Sequence, residues 1–164
     1  MPLYFAYGAN MNVAAMAKRC PRSKPLGVAR LMRRGFVILD SGFASVVRAP
    51  GGTVHGLLWD LALADVPALD RYEGGLYSKI VQPVIRAQGG AVQAMLYVGQ
   101  GRAGGRASAA YAAEVLEAAE ALELPLAYIC GLYACFDLPQ PKHLTDTHRP
   151  KVTPRFATPF DRRG

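Results

Sequence analysis

Two short segments carry residue types able to do acid-base and anion-binding chemistry. Glu73 follows Tyr72 and precedes Gly74-Gly75. At the end of a predicted helix its carboxylate meets the unfavourable pole of the helix dipole, and Tyr72 and Tyr77 can shield it from water; both effects raise a carboxyl pKa from about 4.3 towards the range of a general base. The same residue also reads as a solvated helix-terminal glutamate, the usual state of Glu. Asp60, Asp65 and Asp70 lie close in sequence, so residue type does not single Glu73 out. The other segment is Tyr7-Gly8-Ala9-Asn10 at the end of a predicted strand. Successive backbone N–H groups in such a turn form an anion-binding concavity. Its plainer reading is a strand-to-helix turn with Gly8 at an unusual dihedral and Asn10 as a helix cap.

The remaining candidates are weaker. His55 sits in an apolar strand and reads as structural, while His143 and His148 have no acidic partner at a diagnostic spacing, so metal catalysis is disfavoured. Arg102 and Arg106 in a glycine-rich stretch read as solubilising. Cys20, Cys130 and Cys135 are odd in number and in no metal-ligand spacing, which suits free thiols in a reducing compartment. No G-x-S-x-G elbow occurs.

The elements that must position Glu73 and the first turn are legible in outline. Leu3–Tyr7 predicts a strand, since aromatic residues favour sheets, and Asn12–Arg19 a short helix stopped before Pro21. Brief strands are expected around 27–30 and 36–39, with an extended stretch at 44–47. Pro50-Gly51-Gly52 predicts a turn leading into a strand over 53–59, where Gly56 is acceptable only if another backbone approaches closely. A helix over 64–72, capped by Asp60 or a neighbour, ends at the Gly74-Gly75 stop. Strands 79–87 and 91–98 flank Gln88-Gly89-Gly90 as a hairpin, and Pro83 must then lie at an edge or an irregularity. Residues 99–107 predict a surface loop or a mobile cover for a pocket. Ser108 caps a helix to about residue 122, and Pro125 opens another over 126–135 as its first residue.

This order of elements is a mixed α+β fold with mostly antiparallel strands and no regular βαβ alternation. The 164 residues, 51% of them hydrophobic, suffice for one core. A single domain is expected over 1–137, followed by a basic, proline-rich tail over 138–164 that lies extended or disordered. No run of residues is long and apolar enough to span a bilayer and no leader precedes the fold, so a cytoplasmic chain with no membrane partner is expected. The net charge of +7 comes from dispersed arginines and the tail. Without a helix-turn-helix, finger or basic stripe it supports no nucleic-acid partner beyond weak, salt-sensitive binding. Oligomeric state is not written in the sequence.

Taken together, Tyr4-Phe5-Ala6-Tyr7-Gly8-Ala9-Asn10-Met11, Val54-His55-Gly56-Leu57-Leu58-Trp59 and Leu69-Asp70-Arg71-Tyr72-Glu73-Gly74 with Tyr77 resemble the gamma-glutamylcyclotransferase-like family in motif, order and spacing. The resemblance extends more loosely to Pro125-Leu126-Ala127-Tyr128 and covers roughly residues 3–135. It implies a small mixed, mostly antiparallel β-barrel flanked by helices, and conversion of a gamma-glutamyl small molecule, without cofactor, into 5-oxoproline and a freed amine or amino acid. Position by position it implies that Glu73 is catalytic and that Tyr7, Gly8, Ala9 and Asn10 form the loop that binds the glutamyl moiety. Tyr77 and Tyr128 then line or close the pocket. Ala9 stands where the family usually has Ser, which removes a hydroxyl but keeps the backbone donors.

The implied chemistry needs no enzyme nucleophile. The substrate's own α-amine attacks its γ-carbonyl, and one carboxylate moves the proton from the attacking to the departing nitrogen. The first turn would hold either the substrate carboxylate or the oxyanion. Two alternatives stand beside this reading: cyclotransfer on a gamma-glutamyl amine or isopeptide, and a binding protein that keeps the fold without turnover.

Overall fold

The computed structural model describes residues 2–145. Five strands, β1 (Leu3–Ala6), β2 (Lys24–Ile38), β3 (Ala44–Asp60), β4 (Tyr77–Arg86) and β5 (Ala91–Gly99), close into a barrel in the order β1-β3-β2-β4-β5. All pairs are antiparallel except β1 with β5, which meet at Tyr4 and Met95 and complete the ring. Closure leaves the short first strand with a neighbour on either side, so neither of its edges is open.

Period-two alternation sorts the apolar residues into two layers. Phe5 and Tyr7, Val54 and Leu58, and Ala94 and Leu96 belong to the cluster inside the barrel. Their neighbours Tyr4 and Ala6, Leu57 and Trp59, and Met95 and Tyr97 join the cluster beneath the helices. That outer layer is covered by α1 (Val13–Arg19), α2 (Val66–Glu73), α3 (Ala109–Ala121) and α4 (Leu126–Cys135). Gly56 lies where β3 crosses β1. A Cβ there would overlap the carbonyl oxygen of Ala6 and come within 2.9 Å of Phe5 Cζ, which is the close backbone approach its place in a strand requires.

Several expectations are corrected. The segments at 27–30 and 36–39 belong to one long strand, and Pro50-Gly51-Gly52 lies within β3 rather than reversing the chain. Between the pairs Arg34–Arg48 and Met32–Thr53, β2 has only Arg33 while β3 has Ala49 to Gly52, so the turn-forming residues are absorbed as a bulge. Asp60 ends β3 and caps no helix; Asp65 precedes α2 without capping it through its side chain. Asn12, not Asn10, caps α1 by accepting from the Ala15 N–H. Residues 99–107 are no mobile cover. Backbone bonds from Asp40 to Arg102 and from Gly104 and Gly105 to Ile38 pin them to the β2–β3 turn. Pro125 is the cap of α4 rather than its first residue.

Other expectations match. Ser108 caps α3, and Pro83 pairs only with β5, outside the stretch where β4 meets β2. The start of the expected tail forms a single helical turn, α5 (Lys142–Thr145), where His143 Nε2 lies 2.9 Å from Glu120 Oε2. The rest of the tail, with His148, lies outside the described residues. No helix among them is long and apolar enough to cross a membrane.

Candidate active site

A cavity of about 180 Å³ opens where β1 ends. Its floor is the first turn: Tyr7, Gly8, Ala9 and Asn10, with Ala9–Met11 forming a 3-10 turn. The leading N–H groups of such a turn have no acceptor within it. Gly8 lies close to α3: a Cβ there would stand 3.1 Å from the Tyr111 hydroxyl, a tight contact. One wall is the end of α2, which brings Tyr72 and Glu73; another is the start of β4 with Leu76 and Tyr77. Gly74 terminates α2 at φ 68, a left-handed value that favours glycine, and so lets the chain leave for β4 while Glu73 stays over the cavity.

Glu73 is part-buried and accepts a 2.8 Å hydrogen bond from Asn10 Nδ2. The same Nδ2 donates to the Tyr4 hydroxyl at 3.0 Å, and Asn10 Oδ1 accepts from Arg19 Nη1. Asn10 is only 3% exposed, and these partners use both its donors and its acceptor. Arg19 also lies over the Tyr72 ring, 3.3 Å from its centroid. Burial raises the Glu73 carboxyl to about 7, against the opposing pull of the Arg19 guanidinium and of hydrogen bonding by Tyr4.

The other acids of this region are engaged elsewhere. Asp70 accepts from Lys79 at 3.0 Å and from the Tyr97 hydroxyl, and these bonds, Lys79 first, hold it below the usual carboxylate range. Asp65 is buried and accepts from the Arg22 N–H at 2.9 Å and Ser23 Oγ at 2.8 Å. Two carboxylates three residues apart on one helix are thus pushed in opposite directions.

Phenols make up most of the remaining wall. Tyr7 donates to the Tyr97 carbonyl, Tyr77 donates to the Ala44 carbonyl at 2.7 Å, and the Tyr111 hydroxyl accepts from the Ala44 N–H at 3.2 Å. Burial keeps Tyr4, Tyr7, Tyr77, Tyr97 and Tyr111 above the ordinary tyrosine range, so they stay neutral hydrogen-bonding groups. No lysine, arginine or histidine lines the cavity among the described residues.

The structure therefore brings Glu73, Tyr7, Gly8, Ala9, Asn10 and Tyr77 into one hollow. Tyr128 is left out: on α4 it packs against His55, ring centroids 4.9 Å apart, and its hydroxyl has no hydrogen-bond partner among the described residues. The reason is that α4 covers the barrel away from the first turn. Arg19, Tyr4, Tyr97 and Tyr111 reach the site without having been singled out in the sequence. Arg19 stands in the last turn of α1, and all three tyrosines belong to buried or partly buried core positions.

The closed five-stranded barrel flanked by helices, with a hollow beside the turn after its first strand, is the fold that the resemblance to the gamma-glutamylcyclotransferase-like family implied. Residues 4–114 match the family described as gamma-glutamyl cyclotransferase, AIG2-like, and the chain belongs to that family. It is 29% identical over 100 residues to a bovine gamma-glutamylcyclotransferase, a match covering 53% of each protein, so the chain spans about half the length of that relative. Among solved structures, a gamma-glutamyl cyclotransferase superposes with a TM-score of 0.75 at 24% identity, over 88% of this chain and 96% of the other. An uncharacterized protein from Homo sapiens superposes with a TM-score of 0.74 at 27% identity, over 80% and 86%.

Proposed function

We propose that this protein cyclises a gamma-glutamyl compound, releasing 5-oxoproline and an amine, with Glu73 as the single general acid-base. The observation that carries the reading is a carboxyl raised to about 7 by burial, hydrogen-bonded to the very turn whose N–H groups can hold an anion. Since no cationic side chain lines the cavity among the described residues, the N–H groups of Gly8, Ala9 and Asn10 serve as donors for the substrate carboxylate. The glutamyl chain then folds back so that its α-nitrogen approaches its own γ-carbonyl carbon.

In the first step a C–N bond forms and closes the five-membered ring, while the Glu73 carboxylate takes a proton from the attacking nitrogen. In the second, the tetrahedral carbon expels the original amide nitrogen, which receives that proton as its C–N bond breaks. Atoms and charge balance without cofactor or co-reactant. Tyr77 is held by Ala44 and orients the substrate or Glu73. The mouth is rimmed by Phe43, Tyr72 and Leu76, which are 46%, 46% and 57% exposed, and this favours an apolar flank on the departing amine.

The test is a panel of gamma-glutamyl amino acids, amines and isopeptides, scored by mass for 5-oxoproline, with Glu73→Gln as control. Turnover by the wild type that vanishes in the folded variant supports the assignment. Equal turnover in the two would remove Glu73 from the reaction. Binding without product in the wild type would favour a binding protein on this fold.

A further inference from the structure

We infer that Arg19 is a positioning residue for Glu73, acting through Asn10: it fixes which way the Asn10 amide faces and thereby supplies the carboxylate with a donor. This rests on the reaction proposed for Glu73, and it assigns a role to a side chain that does not line the cavity.

A guanidinium can only donate, and an ionised carboxylate can only accept. Asn10 lies between the two, with its oxygen towards Arg19 Nη1 and its nitrogen 2.8 Å from Glu73 Oε1. Were the amide reversed, both contacts would become repulsive, so the pair of neighbours allows one orientation. Without Arg19 the Asn10 oxygen would be buried with no donor, and the reversed amide would set its oxygen against the carboxylate. Stacking on Tyr72 holds the guanidinium flat at 3.3 Å and limits its freedom to leave.

Among the described residues Arg19 is also the one charged group whose charge bears on Glu73. The titratable side chains coupled to the carboxylate are Tyr72 beside it on α2 and, from other elements, Tyr4 of β1, Tyr7 beyond it, Tyr77 of β4, Tyr97 of β5 and Tyr111 of α3, all phenols that burial keeps protonated. Glu114 bears on Tyr72 and Tyr111, and Asp70 is taken up by Lys79 and Tyr97. Arg19 therefore has two separable effects, a charge that favours the ionised acid and a fork that orients the amide.

Three variants separate them. Arg19→Met removes both effects; Arg19→Lys restores the charge without the planar fork; Lys18→Met removes a neighbouring last-turn cation that has no contact with Asn10. Each is assayed for kcat, KM and pH dependence on a gamma-glutamyl compound that the wild type turns over. In parallel the Glu73 carboxyl is titrated by carbon NMR. Arg19→Met should lower kcat about tenfold or more with little change in KM, and move both the acid limb and the NMR midpoint up by about one pH unit. Arg19→Lys should return the midpoint to the wild-type value while kcat stays low. Lys18→Met should change neither.

An unmoved midpoint in Arg19→Met, or Lys18→Met behaving like it, would overturn the inference and leave Arg19 a helix-terminal cation. If the wild type turns over nothing in the panel, the proposed reaction fails, and the NMR titration alone still decides the coupling of Arg19 to Glu73.

Discussion

Replacing Glu73 by Gln should end turnover and at the same time stabilise the protein at alkaline pH. The carboxyl rises from 4.5 when unfolded to about 7 in the folded chain. Between those values the folded state holds a proton that the unfolded state has released. Its stability contribution is therefore fully present below pH 4.5 and is lost as pH rises through 7. At about 1.4 kcal/mol per pH unit the ceiling is about 3 kcal/mol, and discounting for the solvent-facing part of the side chain leaves about 2 kcal/mol. Gln mimics the protonated acid at every pH and still offers an oxygen to Asn10 Nδ2. The urea midpoints of wild type and variant should thus coincide near pH 4 and separate by about 1 M by pH 8, the variant being the more stable. All other titrating groups are common to both chains, so the difference isolates this one. Parallel curves across the range, or a wild type that is the more stable at pH 8, would refute the claim that Glu73 is held out of water.

Gly56→Ala places a methyl group against the Ala6 carbonyl and Phe5; stability measured by denaturant should fall by about 3 kcal/mol or more, or the chain should fail to fold. Tyr77→Phe removes the 2.7 Å bond to the Ala44 carbonyl; stability should drop by about 1 kcal/mol, and kcat should fall less than in Glu73→Gln, as steady-state assays would show. Tyr128→Phe deletes a hydroxyl of α4 that does not line the cavity; kcat/KM should be unchanged in steady-state assays.

Where one residue's own chemistry dictated a feature, the fold was readable. The stop at Gly74, the cap at Ser108, the hairpin at Gln88-Gly89-Gly90 and the demand for close approach at Gly56 are all local statements, and all appear in the structure. Barrel closure was different. It depends on β1 finding β5 across most of the chain, and strand alternation is compatible with an open or a closed sheet. Pro50-Gly51-Gly52 misled for a related reason: turn residues also suit a bulge, and only the partner strand, through Arg33 facing the inserted residues, decides between the two.

The site shows the same division between local and long-range information. Glu73 and the first turn are visible because each lies at the end of an element, where glycine and the change of periodicity mark it. What raises the pKa of that glutamate is a property of its surroundings: it is buried among phenols from β1, α2, β4, β5 and α3, and a guanidinium from α1 reaches it through one buried amide. None of those residues is unusual in type, and Tyr4 and Tyr97 differ from ordinary core tyrosines only in lying beside the open end of the barrel. A carboxylate three residues earlier on the same helix, Asp70, meets a lysine instead and is driven the other way. The difference between an ion-paired surface acid and one held largely out of water is here set by which side of α2 faces the hollow, a quantity fixed by packing and not by composition.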